Sequence, residues 1–280
     1  MIPKVFSLGP LPIHSFGLMV ALAFLAAGVV LERGLTVRGF PSGCGERYLA
    51  TAAVSGLLGA RVWYIASNWV ELRHDLIGAL LAPAGFTFFG GFIIAALVIF
   101  FMLYRDAGLE ELGKWSRVGK FADAVAPALA LGYAIGRLGC QLSGDGDYGI
   151  ATTTSWWGMS YSQGVVPTPA GVRAYPTPLF ESALAFVTLA ILLGADSALL
   201  RLRQNKVTRN YRIFPNGAQF FLFLTLMGVC RFLIEFLRIE PKVALGYTQA
   251  QLISVGLITI GLISYIFSFT KSVKRENSPN

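Results

Sequence analysis

The stretch IHSFGLMVALAFLAAGVVL, Ile13 to Leu31, carries no acidic or basic side chain apart from His14. A hydrocarbon core about 30 Å thick is crossed by a helix of about 20 apolar residues, so this stretch reads as one membrane crossing. The rest of the chain agrees with that reading. Of its 280 residues 55% are hydrophobic and only 14% charged, with a mean hydropathy of +0.62; a soluble domain carries about 25% charged residues.

Six further runs have the same character: Tyr48 to Ala66, Phe86 to Tyr104, Val118 to Gly136, Leu179 to Leu200, Ala218 to Leu237 and Thr248 to Phe269. The expected fold is therefore all-α, a polytopic membrane protein of about seven transmembrane helices. Fifteen of the 23 lysines and arginines follow spans one, three, five and seven, six lie on the opposite side, and Arg61 and Arg231 lie within spans. The positive-inside rule then puts the N-terminus outside and the C-terminus in the cytoplasm. Residues 1–270 read as a single transmembrane domain with an outer-face loop over 137–178, and 271–280 as a cytoplasmic tail.

Composition also narrows the function classes. The net charge of +8 is spread through short loops and not gathered on one soluble face, which argues against nucleic acid. Cys44, Cys140 and Cys230 are too few and too scattered for a disulfide framework, and two histidines without an HExxH or Cys/His cluster predict no metal site. The N-terminus lacks a basic region leading into an apolar core, so no cleaved signal peptide is expected. No cofactor motif is found.

Charge inside the apolar runs is costly unless it has partners, and marks buried interiors. With the orientation above, Arg61, Arg137 and Arg231 all fall toward the outer side, as do His14 and the Phe89-Gly90-Gly91 stretch. Arginines at one level imply either internal ion pairs or a bound anion, and a phospholipid headgroup is such an anion. Arg231, Glu235 and Arg238 form one helical stripe in which Glu235 can pair with either arginine.

The segment GRLGCQLSGDGDYG, Gly136 to Gly149, follows the fourth span. Gly136, Gly139, Gly144, Gly146 and Gly149 suit a backbone with positive φ that approaches a ligand closely, and its amides can form an anion-binding concavity. Arg137 adds a donor fork suited to phosphate oxygens. Asp145 and Asp147 can orient the arginines, bind an acceptor or act as a general base.

These residues resemble the prolipoprotein diacylglyceryl transferases of the bacterial inner membrane. Besides the glycine-rich segment, the likeness runs in order through HSFGLM at His14, GAR at Gly59, Gly90-Gly91, DAVAP at Asp123, YPTPLFE at Tyr175, RFLIEFLRIEP at Arg231 and TQAQLIS at Thr248. The resemblance implies a multi-pass inner-membrane enzyme without a cofactor. Its partners would be phosphatidylglycerol, the lipobox peptide of a secreted prolipoprotein and the bilayer, with no nucleic acid. The diacylglyceryl group would pass to the lipobox cysteine thiol, forming a thioether and releasing glycerol phosphate.

Arg137, Arg231 and Asp145 would then be catalytic. Arg61, Gly136, Gly139, Gly144, Gly149, Glu235, Arg238, His14, Gly90 and Gly91 would bind substrate. Three positions depart from the family pattern: Phe16 and Met227 replace tyrosines, and Phe89 replaces a histidine. The proton acceptor is thus open among Asp145, Asp147, His14 and the arginine field itself. The alternative function is a transferase-like protein that binds phospholipid or lipoprotein without transfer, or with another acceptor.

Overall fold

The computed structural model describes residues 1–9, 11–82, 85–154, 156–204 and 215–276. The expected inside charges Lys206, Arg209 and Arg212 and the end of the tail, 277–280, lie outside the described residues.

Among the described residues, six helices are long and apolar enough to cross a membrane: α1 (Ser15–Val37), α2 (Cys44–Ser67), α6 (Lys114–Ser143), α7 (Thr177–Gln204), α8 (Ala218–Ile234, prolonged by a 3-10 turn at Glu235–Leu237) and α9 (Gln249–Glu276). The third expected span is α5 (Phe88–Arg105), apolar but shorter than these. Two short helices, α3 (Trp69–Leu72) and α4 (Leu76–Leu81), lie between α2 and α5. The described residues also form two antiparallel hairpins, β1 (Lys4–Leu8) with β2 (Leu11–His14) and β3 (Lys242–Ala244) with β4 (Tyr247–Thr248).

The described residues divide into two compact units. The first comprises Met1–Leu31 and the residues from Ala122 onward. Here α6, α7 and α8 share a core of Ala126, Ala130, Leu192 and Phe223, with Met227 packed against it. Because lipid offers no hydrophobic force between helices, small residues and interhelical hydrogen bonds hold them together. A Cβ on Gly228 would stand 2.9 Å from Ile258 Cγ1, and one on Gly261 2.8 Å from the Phe221 carbonyl, which locks α8 to α9. Ser182 Oγ donates to the Ala134 carbonyl at 2.9 Å, tying α7 to α6.

Asp123, the acidic residue inside the fourth expected span, has a structural explanation in this unit. Its carboxylate accepts from the amides of Gly217 at 2.7 Å and Phe220 at 3.1 Å. These are orphan donors at the start of α8, so a side chain on α6 caps another helix.

The second unit is Glu32–Phe121. Its main seam joins α2 and α5 through glycines. A Cβ on Gly59 would fall 2.5 Å from Ile94 Cβ, one on Gly90 2.2 Å from Trp63 Cβ, and one on Gly91 2.7 Å from the Gly56 carbonyl.

Candidate functional site

In the first unit, Arg137 on α6, Arg231 on α8 and Arg238 just beyond it meet around one carboxylate, Glu181, in the second turn of α7. Glu181 Oε1 lies 2.8 Å from Arg231 Nη1 and 3.5 Å from Arg238 Nη1, while Oε2 pairs with Arg137 Nε. The Tyr133 hydroxyl donates to Oε2 at 2.5 Å. Tyr133 is one helical turn before Arg137 on α6, and the Arg137 guanidinium stands 5.1 Å above its ring. The Glu181 side chain is only 3% exposed, so its oxygens take their hydrogen-bond partners from these donors.

Asp147 is the second hub. Its Oδ2 pairs with Arg137 Nη1 and its Oδ1 with Arg238 Nη2 at 2.7 Å, and its carbonyl accepts from Arg238 Nη1 at 3.1 Å and Thr177 Oγ1 at 2.6 Å. Burial opposes ionisation of Asp147. The hydrogen bond from Arg238 and the charges of Arg137 and Arg238 outweigh it and hold the carboxyl below its usual range. Glu235 is the third carboxylate: Oε2 lies 3.0 Å from Arg231 Nη2, and Oε1 accepts from Thr248 Oγ1 at 2.7 Å. The core is three arginines against three carboxylates, with half-exposed Glu240 3.3 Å from Arg238 at its rim.

Two buried atoms in this core lack a hydrogen bond: Arg238 Nε and Glu235 Oε2. They face each other at 3.9 Å, too far for a bond, and the Arg231 contact to the same oxygen is an ion pair without hydrogen-bond alignment. A buried donor left without an acceptor costs about 1 to 3 kcal/mol.

The segment 144–176 forms the cover. Gly144 and Gly146 have φ of +61° and +97°. Gly149 has an ordinary φ but pairs with Arg238 and the Tyr175 carbonyl, and a Cβ there would come 2.2 Å from the Leu237 carbonyl. This close pairing holds Asp147 beside Arg238. Farther along, the Tyr161 hydroxyl donates to Gln141 Oε1 at 2.9 Å, and burial pushes its phenol up to about 12.

The other expected site residues have the following surroundings, each within its own unit. Gly136 and Gly139 are not in a turn, because α6 runs on to Ser143. Gly139 instead admits α1 closely, where its Cβ would be 3.0 Å from Met19 Cβ, whereas Gly136 has open space beside it. His14 is exposed at the end of β2. Arg61 belongs to the second unit and is only 3% exposed. Its guanidinium donates to the carbonyls of Leu80 at 3.3 Å, Ala82 at 2.8 Å and Gly85 at 2.6 Å. Gly90 and Gly91 belong to the α2–α5 seam of that same unit.

Asp145 lies near Cys140, and with Asp147 they bring potential ligand atoms within 4.8 Å of one another. Asp147 already has an arginine on each oxygen, so the group is a poor cation cage. Sequence reasoning passed over Glu181 and Tyr133. A lone acid near the start of the apolar run LFESALAF was the available signal.

The model of the prolipoprotein diacylglyceryl transferase family matches residues 3–267. The chain is 26% identical over 315 aligned residues to the phosphatidylglycerol–prolipoprotein diacylglyceryl transferase of Leptospira interrogans, covering 95% of this chain and 92% of the relative. It is 30% identical over 267 residues to phosphatidylglycerol–prolipoprotein diacylglyceryl transferase 2 of Clostridium perfringens, covering 94% of each. Against the enzyme of that name from Dehalococcoides mccartyi it is 29% identical, covering 99% and 97%. With the family match running from the first hairpin into the last helix, and these relatives matched over nearly their whole length, this chain belongs to the prolipoprotein diacylglyceryl transferase family.

Proposed function

We propose that the chain transfers the diacylglyceryl group of phosphatidylglycerol to the cysteine thiol of a prolipoprotein lipobox, the first step of lipoprotein maturation. The names of its relatives support the reaction. The observation that carries it to particular residues is the convergence of Arg137, Arg231 and Arg238 on Glu181.

The arginines do not wait as bare cations. Each is compensated by protein carboxylates, as burial demands. The lipid phosphate binds by partner exchange: its oxygens take donors now shared with Glu181, Asp147 and Glu235, and Arg238 Nε gains the partner it lacks. As the glycerol carbon–oxygen bond breaks, negative charge grows on the leaving phosphate beside guanidinium groups already in place. On this reading the N-terminus and the segment 144–176 face outward, the C-terminal tail lies in the cytoplasm, and the protein sits in a bacterial inner membrane.

The paired state of every arginine in the cluster favours a second reading, a protein that binds phospholipid without transferring it. One experiment separates the two. The purified protein is incubated with radiolabelled phosphatidylglycerol and a lipobox peptide, and thioether-linked lipid and released glycerol phosphate are measured. The transferase reading expects both products, and their loss in Arg137→Ala. Lipid retained by the unsubstituted protein without either product, and lost in Arg137→Ala, supports binding alone.

A further inference from the structure

The transfer needs a group that takes the thiol proton, and resting on the transferase reading above we propose that Tyr133 and Glu181 form that proton relay. The relay follows from their contact. Tyr133 already donates to Glu181 Oε2 at 2.5 Å, and its oxygen, hydrogen-bonded also to Arg137, can take a thiol proton as its own proton passes to the carboxylate.

The charge of the cluster supplies the direction. Three arginines and three carboxylates leave the core formally neutral. A phosphodiester brings one negative charge and draws arginine donors away from Glu181. In a low-dielectric site a carboxylate left with fewer guanidinium partners holds a proton more readily, and a proton taken from the thiol leaves the net charge of the site unchanged. Glu181, 3% exposed and joined to Tyr133, is the carboxylate placed to take it.

The other carboxylates are less suitable. Asp147, like Glu181, has an arginine on each oxygen, but the hydroxyl beside it, Thr177 Oγ1, donates to its carbonyl and not to its carboxylate, and the hydroxyl on Glu235 is the weakly acidic alcohol of Thr248. Asp145 is engaged with Cys140. His14 is exposed at a hairpin end.

The step balances. The thiol proton moves to the Tyr133 oxygen as the tyrosine proton moves to Glu181 Oε2. Sulfur attacks the glycerol carbon, a sulfur–carbon bond forms, and the carbon–oxygen bond breaks with its electron pair on the phosphate oxygen. The departing phosphate monoester then takes the proton back through Glu181. Thiol and phosphodiester become thioether and singly protonated phosphate monoester, and both residues return to their starting state.

The test uses the full-length protein in phosphatidylglycerol vesicles with two lipobox peptides, one bearing cysteine and one selenocysteine, whose selenol is ionised at neutral pH and needs no proton acceptor. Tyr133→Phe removes one oxygen and leaves the ring over Arg137. With the cysteine peptide kcat is expected to fall about 100-fold or more, while lipid retention stays at the unsubstituted level. With the selenocysteine peptide the variant is expected to recover to within a few-fold of the unsubstituted protein, which also shows that it is folded. A Tyr133→Phe protein as fast as the unsubstituted one with cysteine overturns the relay. So does one equally slowed with both peptides, which marks a purely structural role. An unsubstituted protein that makes neither thioether from the cysteine peptide nor selenoether from the selenocysteine peptide overturns the transferase reading, and the relay falls with it.

Discussion

Arg231 and Glu181, fifty residues apart in sequence, are joined by a 2.8 Å hydrogen bond from Nη1 to Oε1. The same guanidinium reaches Glu235 with its other terminal nitrogen at 3.0 Å. One planar fork thus spans carboxylates on two elements. A lysine at this position is a point charge that can follow only one of them. Arg231→Lys is therefore expected to insert and fold but to lose at least about tenfold in thioether formation, since hydrogen bonds to charged groups contribute about 1.5 to 3 kcal/mol. Product formation by purified protein at matched amounts checks this, and unchanged activity would show that the bridge is dispensable.

Gly149 and Gly136 make opposite predictions although the sequence grouped them together. An alanine Cβ at 149 would sit 2.2 Å from the Leu237 carbonyl, in the pairing that holds Asp147 beside Arg238. Gly149→Ala is expected to cost about 1 to 3 kcal/mol, the usual range for overpacking, and to lower activity with it. Gly136 is helical with open space beside it. Gly136→Ala should be neutral or add about 0.5 to 1 kcal/mol through helix propensity. Thermal unfolding of both variants in the same detergent gives the comparison.

The cover over the site has a predictable pH range. Asp147 is held below its ordinary value in the folded protein, so its contribution is fully present above the unfolded value of about 3.9 and is lost as pH falls through the lowered folded value. Tyr161 is raised to about 12. Its contribution is complete below the unfolded value of about 10 and disappears as pH rises through about 12. The segment 144–176 should stay docked from pH 5 to 9 and release at both extremes. Emission from Trp156 and Trp157, which are 90% and 58% exposed, follows this. Release near pH 6 would contradict the assignment to Asp147.

Asp123 supplies a stability test away from the arginines. It caps α8 from α6 through the amides of Gly217 and Phe220. Loss of a cap costs about 0.5 to 2 kcal/mol, and the 8% exposure of Asp123 points to the upper end. Asp123→Ala should lower the unfolding temperature with its remaining activity per folded molecule unchanged; Asp123→Asn, which keeps an acceptor, should fall between.

The sequence made the helical crossings legible because apolar length is a one-dimensional property. It also grouped Arg61, Arg137, Arg231 and Arg238 into one site, since uncompensated charge in or at the end of an apolar run demands partners. The identity of those partners was not legible. Glu181 meets Arg231 only through the packing of α7 on α8, and Tyr133 looks like one more apolar residue until its hydroxyl has a carboxylate to reach. Glycine was ambiguous for the same reason: Gly144 and Gly146 serve positive φ, whereas Gly90 and Gly91 serve the close approach of helices. The two uses leave the same letter. Arg231, Glu235 and Arg238 kept their pairing, but the 3-10 turn at Glu235–Leu237 changes the direction of the chain and leads Arg238 on to Asp147.

Arg61 shows how the rule that buried arginines need partners can be met without an anion. Three donors of its guanidinium satisfy the carbonyls of Leu80, Ala82 and Gly85, and the group stands 5.1 Å over the Phe86 ring. The chain beyond is pinned in turn by the Thr87 amide, which donates to the Ala60 carbonyl at 3.1 Å. A lysine cannot reach all three carbonyls, and each buried polar group left unpaired costs about 1 to 3 kcal/mol. Arg61→Lys is therefore expected to lower the unfolding temperature and speed amide exchange at Thr87, while radiolabelled phosphatidylglycerol is retained as before. The reverse result, unchanged exchange with lipid lost, would make Arg61 the substrate-binding residue that the sequence leads one to expect.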